Sequence, residues 1–178
     1  AIAEVLNELG VTRIEAGMPA VSDVVLNSIK RMTRKGFKSK VYGFARALEK
    51  DVNLVLQTDA DGIIIEHCVN PYKCKYGYDL TPEKLVSRLV DSIKYAKKNG
   101  LRTVFMGWDW FRAPIEFTYW LIESILNETE LDGLAIVDTV GSTLPDAVEE
   151  MFRRFHKWFP EIELEFHGHN DFNLGIAC

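Results

Sequence analysis

The sequence predicts an α/β fold, a (β/α)8 or TIM barrel of which about six of the eight strand-helix units are visible. Three observations predict it. Strand-like apolar runs alternate with amphipathic helical runs at a pitch of about thirty residues. The run Ile63-Ile64-Ile65 is apolar on both faces, as in a buried parallel strand. Polar residues recur where the strands should end: Glu15, Arg46, Asn70, Asp109, Asp138, Thr139, His167 and His169. Barrels build their active sites at those carboxyl-terminal strand ends. An open doubly wound sheet is the competing architecture, but no glycine-rich dinucleotide turn follows the first strand.

Residues 1–9 space Ile2, Val5, Leu6 and Leu9 as on a helix, and Gly10 suits its stop. Residues 11–16 read as a strand ending in Glu15-Ala16-Gly17. Pro19 opens a turn, and Ser22 or Asp23 caps a helix reaching about residue 35, closed by Gly36. Strand 40–44 leads into Ala45-Arg46, helix 48–58 follows, and then the buried strand 62–66. Residues 67–80, with Asn70-Pro71 and Gly77, read as a long loop. Thr81-Pro82-Glu83 combines a capping hydroxyl, proline at the first helical position and an acid in the first turn, which predicts a helix to residue 99. Strand 101–106, loop 107–113 and helix 114–128 come next. Strand 133–137 runs into Asp138-Thr139-Val140-Gly141, Pro145 opens a helix to 159, and strand 162–166 closes the series.

No Pro/Ser-rich linker interrupts the alternation, so residues 1–178 are expected to form one barrel domain. Ala1 begins inside a helical pattern and Cys178 stops short of the next, so a unit is expected to be missing at each end.

The 178 residues are 47% hydrophobic and 26% charged, enough for a substantial core. A net charge of −5 argues against a nucleic-acid partner. Arg31, Arg34, Lys35, Lys38 and Lys40 form the one basic stretch, read as a solvated helix end. No signal-peptide pattern or long apolar run is present, so no membrane partner is expected. Three cysteines without zinc-ribbon spacing point to a reducing, cytoplasmic setting.

The sharpest chemical signal is Phe166-His167-Gly168-His169-Asn170-Asp171. Side chains two apart on an extended backbone share a face, so His167 and His169 make half of a site for a divalent ion. Asp171 is either an outer partner of one imidazole or a helix cap. Thr139 offers a hydroxyl to a substrate carboxylate, against plain turn chemistry. Arg46 offers a planar fork to a carboxylate, against a salt bridge. Glu15 is read as contacting substrate, against pairing with an arginine. His67 and Cys68 are read as packed or solvated, and Trp108, Trp110 and Phe111 as core or lid.

Four segments together resemble the DRE-TIM metallolyases, which include isopropylmalate, homocitrate and citramalate synthases and hydroxymethylglutaryl-CoA lyase. They are Ile14-Glu15-Ala16-Gly17-Met18-Pro19-Ala20, Gly43-Phe44-Ala45-Arg46-Ala47, Asp138-Thr139-Val140-Gly141 and His167-Gly168-His169-Asn170-Asp171. The resemblance implies a barrel with a divalent cation (zinc, manganese or iron, magnesium less readily), with His167 and His169 as ligands and Glu15, Arg46 and Thr139 near the substrate. His-x-His-Asn-Asp looks more like the condensing synthases than the lyase. The implied reaction is a Claisen-type condensation of acetyl-CoA with a small-molecule 2-oxo acid, in which the metal polarises the keto group. A retro-aldol lyase of the same family, or a barrel that binds a metabolite without turnover, are the alternatives. Family members commonly dimerise, which implies a homodimer.

The family's catalytic arginine and its aspartate ligand belong to a first-strand motif not found in this chain. Where the synthases carry Glu-Asp, this chain has Trp108-Asp109, so the family glutamate is replaced and no catalytic residue is assigned. Asn173 stands where the resemblance leads one to expect glycine.

Overall fold

The computed structural model describes residues 1–178 and contains six strands in one sheet, in the order β1-β2-β3-β4-β5-β6. The elements are α1 (Ile2–Glu8), β1 (Arg13–Glu15), α2 (Asp23–Thr33), β2 (Lys40–Arg46), α3 (Glu49–Leu56) and β3 (Gly62–Cys68), followed by α4 (Pro71–Tyr78), α5 (Pro82–Lys98), β4 (Arg102–Trp108), α6 (Ile115–Leu126), β5 (Gly133–Asp138), α7 (Pro145–Trp158) and β6 (Glu163–Gly168). Single 3₁₀ turns lie at Pro19–Val21 and Trp110–Arg112. Each strand neighbours its successor in sequence. That is the order of a βα barrel, and it excludes a doubly wound sheet, whose order reverses at a switch point. The expected fold class is therefore the one observed.

Contacts group the chain into two compact units. The first comprises Ala1–Glu66 and Asp91–Val104. Its strands pair in parallel, with Ile14 opposite Val41, Gly43 opposite Ile63 and Arg46 opposite Glu66. Ile29, Val52, Val55, Ile63, Ile65 and Ile93 are wholly buried. Each such side chain removed from water contributes about 1.5–3 kcal/mol. Gly43 admits α3 to the strand, since a Cβ there would lie 2.7 Å from Val55. The basic stretch after α2 is solvated, as expected. Lys35 pairs with Glu4 of α1, and Lys40 pairs with Asp61 at 2.8 Å.

The second unit comprises His67–Val90 and Phe105–Cys178. β5 is buried along its whole length and pairs in parallel with β6, Val137 opposite His167. Trp110 is fully buried and stacks edge-on against Phe155 of α7, with ring centres 5.2 Å apart. Gly107 makes room for that indole, which a Cβ would approach to 2.5 Å.

One expectation is corrected here. Residues 67–80 are not a loop. β3 continues through His67 and Cys68, and Pro71–Tyr78 forms α4. The Asn70 side chain caps that helix by accepting from the Tyr72 N–H at 3.0 Å, Pro71 takes the first helical position, and Asp79 in the left-handed region ends it. The Trp108-Trp110-Phe111 cluster also divides. Trp110 is core, while Trp108 is half-buried against Tyr78, with the Lys73 ammonium 5.0 Å from its ring centre.

Candidate functional site at the strand ends

Strand alternation does to the histidines what the sequence predicts. His167 is the penultimate residue of β6 and His169 follows the strand. Both are exposed, with ring centres 5.3 Å apart and planes at 51°. Two imidazoles bound to one ion at about 2.1 Å hold their ring centres about 5 Å apart, so this pair fits a shared divalent cation. The chain gathers no cluster of three or more His, Cys, Asp or Glu that could hold a metal ion, so the two imidazoles stand without a third such side chain. Although the residue is exposed overall, desolvation of the ring by its surroundings and the neighbouring His169 hold His167 below its usual pKa, which favours the neutral imidazole.

The β5 turn holds the β6 turn in place. The Asp138 carboxylate is buried and accepts from the N–H groups of Gly141 (3.0 Å) and Thr143 (2.8 Å). Its backbone carbonyl accepts from the His169 N–H at 3.2 Å. Gly141 has φ +65°, and a Cβ there would lie 2.6 Å from the His169 carbonyl oxygen and 2.9 Å from the Asp171 nitrogen. Glycine is thus required both by conformation and by the close approach of the two turns. Asn170, rather than Asp171, closes the turn after the histidines by accepting from the Gly175 N–H at 3.1 Å. Asp171 is exposed. Asn173 has φ +62°, so the residue standing in place of glycine adopts the left-handed conformation that asparagine tolerates.

Thr139 accepts the Asp109 N–H at 2.7 Å, which leaves its own hydroxyl proton to donate. Asp109 is a buried hub in the left-handed region at φ +67°. Its carboxylate accepts from the Asn70 amide at 2.9 Å, meets Lys73 at 3.3 Å and is bonded by Arg112. A cavity of about 340 Å³ is lined by Asp109, Arg112, Asp138, Thr139 and Thr143 among others, within the range of small-molecule sites. Sequence reasoning did not find this network. Asn70 and Arg112 lie far from each other along the chain, and only folding makes Asp109 their common acceptor.

In the first unit, Glu15 is exposed at the end of β1 and Arg46 closes β2. The Arg46 fork is bidentate on buried Asp51 of α3, Nε to Oδ2 at 2.7 Å and Nη2 to Oδ1 at 3.1 Å. The hydrogen bond and charge of Asp51 raise the guanidinium pKa further. His67 is buried, with Nδ1 3.1 Å from the Cys68 carbonyl and its ring 5.2 Å from that of Tyr78. Cys68 and Cys74 are buried free thiols, the Cys74 Sγ 3.2 Å from the Cys68 carbonyl, in keeping with a packed role. No helix is long and apolar enough to cross a membrane.

Comparison with known proteins agrees with this picture. The chain is 31% identical over 180 residues to a homocitrate synthase of Sulfolobus acidocaldarius, matching 99% of this chain and 38% of that protein. A homocitrate synthase of Saccharolobus islandicus matches at 31%, over 39% of its length. The chain thus spans about two fifths of the curated relatives it matches. Among solved structures, the HMG-CoA lyase of Bacillus subtilis superposes with a TM-score of 0.80 at 18% identity, covering 99% of this chain and 65% of that one. The hydroxymethylglutaryl-CoA lyase of Pseudomonas aeruginosa superposes at 0.75 and 14%, covering 97% and 60%. These likenesses show a shared fold. The HMGL-like family model matches residues 1–178, and the chain belongs to the HMGL-like family.

Proposed function

We propose that the protein carrying this chain is a metal-dependent acyltransferase that condenses acetyl-CoA with a 2-oxo acid. The observation that carries the reading is the imidazole pair His167/His169 at the end of β6, spaced for one divalent ion. The 31% identity to homocitrate synthases supports the condensing branch, as does the Asn-Asp that follows His169. His167 and His169 would hold the ion. When bound, it supplies Lewis acidity toward the keto oxygen of the 2-oxo acid. Nitrogen ligands of this kind suit zinc, manganese or iron better than magnesium.

The remaining residues bind and orient. Asp51 fixes the plane of the Arg46 fork and occupies Nε and one terminal nitrogen, leaving the other terminal nitrogen to grip a substrate carboxylate. Thr139, held by the Asp109 N–H, donates its hydroxyl proton to a carboxylate oxygen. Glu15 contacts substrate at the end of β1. The reading carries with it a homodimer and a cytoplasmic setting, the latter in keeping with three free cysteines.

A second reading rests on Trp108. An indole does not exchange protons, so a barrel of this family with Trp108 in place of glutamate either binds a metabolite without turnover or uses another base. A retro-aldol lyase would use the same imidazole pair and its one ion on a hydroxyacyl thioester.

The test is release of free CoA by the full-length protein from acetyl-CoA with pyruvate, 2-oxoisovalerate, 2-oxoglutarate or oxaloacetate. It is run with Mn²⁺ or Zn²⁺ and after chelation. Release that needs both metal and one oxo acid, and that is lost in H167A, supports the proposal. Metal binding without CoA release from any of the four refutes it. Acetyl-CoA or pyruvate formed from a hydroxyacyl substrate would favour the lyase.

A further inference from the structure

The second unit brings together two thiols that the proposed chemistry leaves unused. Cys68 is the last residue of β3, and Cys74 lies one turn into α4, its N–H bonded to the Asn70 carbonyl at 2.9 Å. Both are free and buried, 0% and 2% exposed. The Cys74 Sγ lies 3.2 Å from the Cys68 carbonyl oxygen, and the Cys68 Sγ lies 3.9 Å from that of Asn70. The two thiols also hydrogen-bond each other, which holds Cys68 below the usual thiol range and pushes Cys74 above it. A thiolate in this pair therefore forms on Cys68, and the thiolate is the reactive form.

The pair is reachable. Cys74 lines a cavity of about 450 Å³, ample for a small oxidant. Cys74 and Leu80 are the buried members of its lining, and Pro71, Pro82 and Phe117 add apolar surface. Such walls admit an uncharged molecule more readily than an ion. The helix that carries Cys74 is also free to adjust, since Cys74 is its one buried residue. Closing hydrogen-bonded thiols to a covalent bond draws the sulfurs together by about 1–2 Å.

That movement bears on the Asp109 network. Asn70 caps α4 and Lys73 precedes Cys74 in it. Both reach the Asp109 carboxylate, at 2.9 and 3.3 Å, and the Asp109 N–H donates to the Thr139 hydroxyl at 2.7 Å. Drawing α4 toward β3 shifts both partners of Asp109 and, through its backbone, Thr139.

We infer that Cys68 and Cys74 form a reversible dithiol–disulfide pair that responds to hydroperoxides and acts on Thr139 through Asp109. The Cys68 thiolate attacks the terminal oxygen of the hydroperoxide and the O–O bond breaks. The sulfur becomes a sulfenic acid, and the departing oxygen takes up the proton that Cys68 gave. Cys74 then attacks the Cys68 sulfur, the S–O bond breaks, and the Cys74 proton leaves with the hydroxide as water. Two thiols are oxidised by two electrons, and the hydroperoxide is reduced to an alcohol and water. A thiol reductant reverses the bond by exchange, so in a reducing compartment the disulfide is transient.

The experiment exposes the full-length protein to hydrogen peroxide, blocks the remaining thiols with N-ethylmaleimide and maps the digest by mass. The expected product links Cys68 to Cys74, is lighter by two hydrogens and is restored by dithiothreitol. The link should persist in C178S and be absent in C68A. The wild-type map decides the matter even if C68A fails to fold. Recovery of both thiols intact, conversion of either sulfur to a sulfinic acid without a link, or pairing of either with Cys178 or a second molecule overturns the inference. The effect on Thr139 rests on the function proposed above. KM for the 2-oxo acid is expected to rise about 3- to 10-fold on oxidation, the scale of one weakened hydrogen bond, and to return with dithiothreitol. A linked pair with unchanged KM overturns the coupling and leaves the condensation reading standing. Reduced protein that releases no CoA from any of the four oxo acids overturns that reading, while the mass map still decides the disulfide.

Discussion

Gly141→Ala tests the coupling of the β5 and β6 turns. Two costs add. Alanine at φ +65° sits in the left-handed region, at about 1–2 kcal/mol. Its Cβ would also lie 2.6 Å from the His169 carbonyl oxygen and 2.8 Å from the carbonyl carbon, backbone atoms that cannot rotate away. Forcing that contact open costs about 1–3 kcal/mol more, as for other overpacked sites. The expected total is about 2–5 kcal/mol, a large share of a typical domain's stability. Gly36→Ala is the control, because Gly36 has φ +66° but nothing within 4 Å of an added Cβ, so it bears the conformational cost alone. Urea unfolding followed by far-ultraviolet circular dichroism measures both variants. Divalent-ion affinity should weaken in G141A as well, since the displaced carbonyl belongs to one of the two imidazole residues. If G141A is no more destabilised than G36A, the turns are not in contact as described, and the positioning of His169 must be explained otherwise.

Asp109→Ala should cost about 2–3 kcal/mol in urea unfolding, below the range for a fully buried pair because Lys73 and Arg112 both reach solvent. Asp109→Asn, which tolerates the left-handed backbone, should cost less, and equal losses would show that the charge is irrelevant. Burial, aided by the Arg88 charge, holds His67 below its usual 6.5. Below about that pH the unfolded chain takes up a proton that the folded ring resists, so stability is fully present above 6.5 and declines as pH falls. H67Q should flatten that decline in thermal scans between neutral and mildly acid pH, and an unchanged slope would rule out His67 as its source. Asn173→Gly should leave stability within a few tenths of a kcal/mol, whereas Asn173→Val should cost about 1–2 kcal/mol. Equal midpoints for the two would contradict the left-handed conformation at Asn173.

Much of the fold is legible because its signals are local. The isoleucine run marks β3, Thr81-Pro82-Glu83 marks the start of α5, and two-residue spacing puts His167 and His169 on one face. α4 was missed although Asn70-Pro71 carries the same start signature as Thr81-Pro82. Its sequence Pro-Tyr-Lys-Cys-Lys-Tyr-Gly-Tyr has no apolar stripe, and it ends on Asp79 rather than glycine. It is held instead by Cys74 buried beneath it and by the Asn70 amide bonded to Asp109. Asn173 was visible as a departure from the expected glycine, but only the backbone angle shows why asparagine serves there.

By itself the sequence determined the alternation of elements, the strand ends at which polar residues collect, and the family. Those depend on periodicity and on short motifs, which act within a few residues. The tertiary structure alone decided which of those polar groups are already spent. Arg46 is gripped by Asp51, Thr139 accepts a backbone N–H, and Asp109 gathers two cations. Ion pairs and hydrogen bonds form or fail over differences of about an ångström between elements far apart in sequence, and only the packed chain sets those distances.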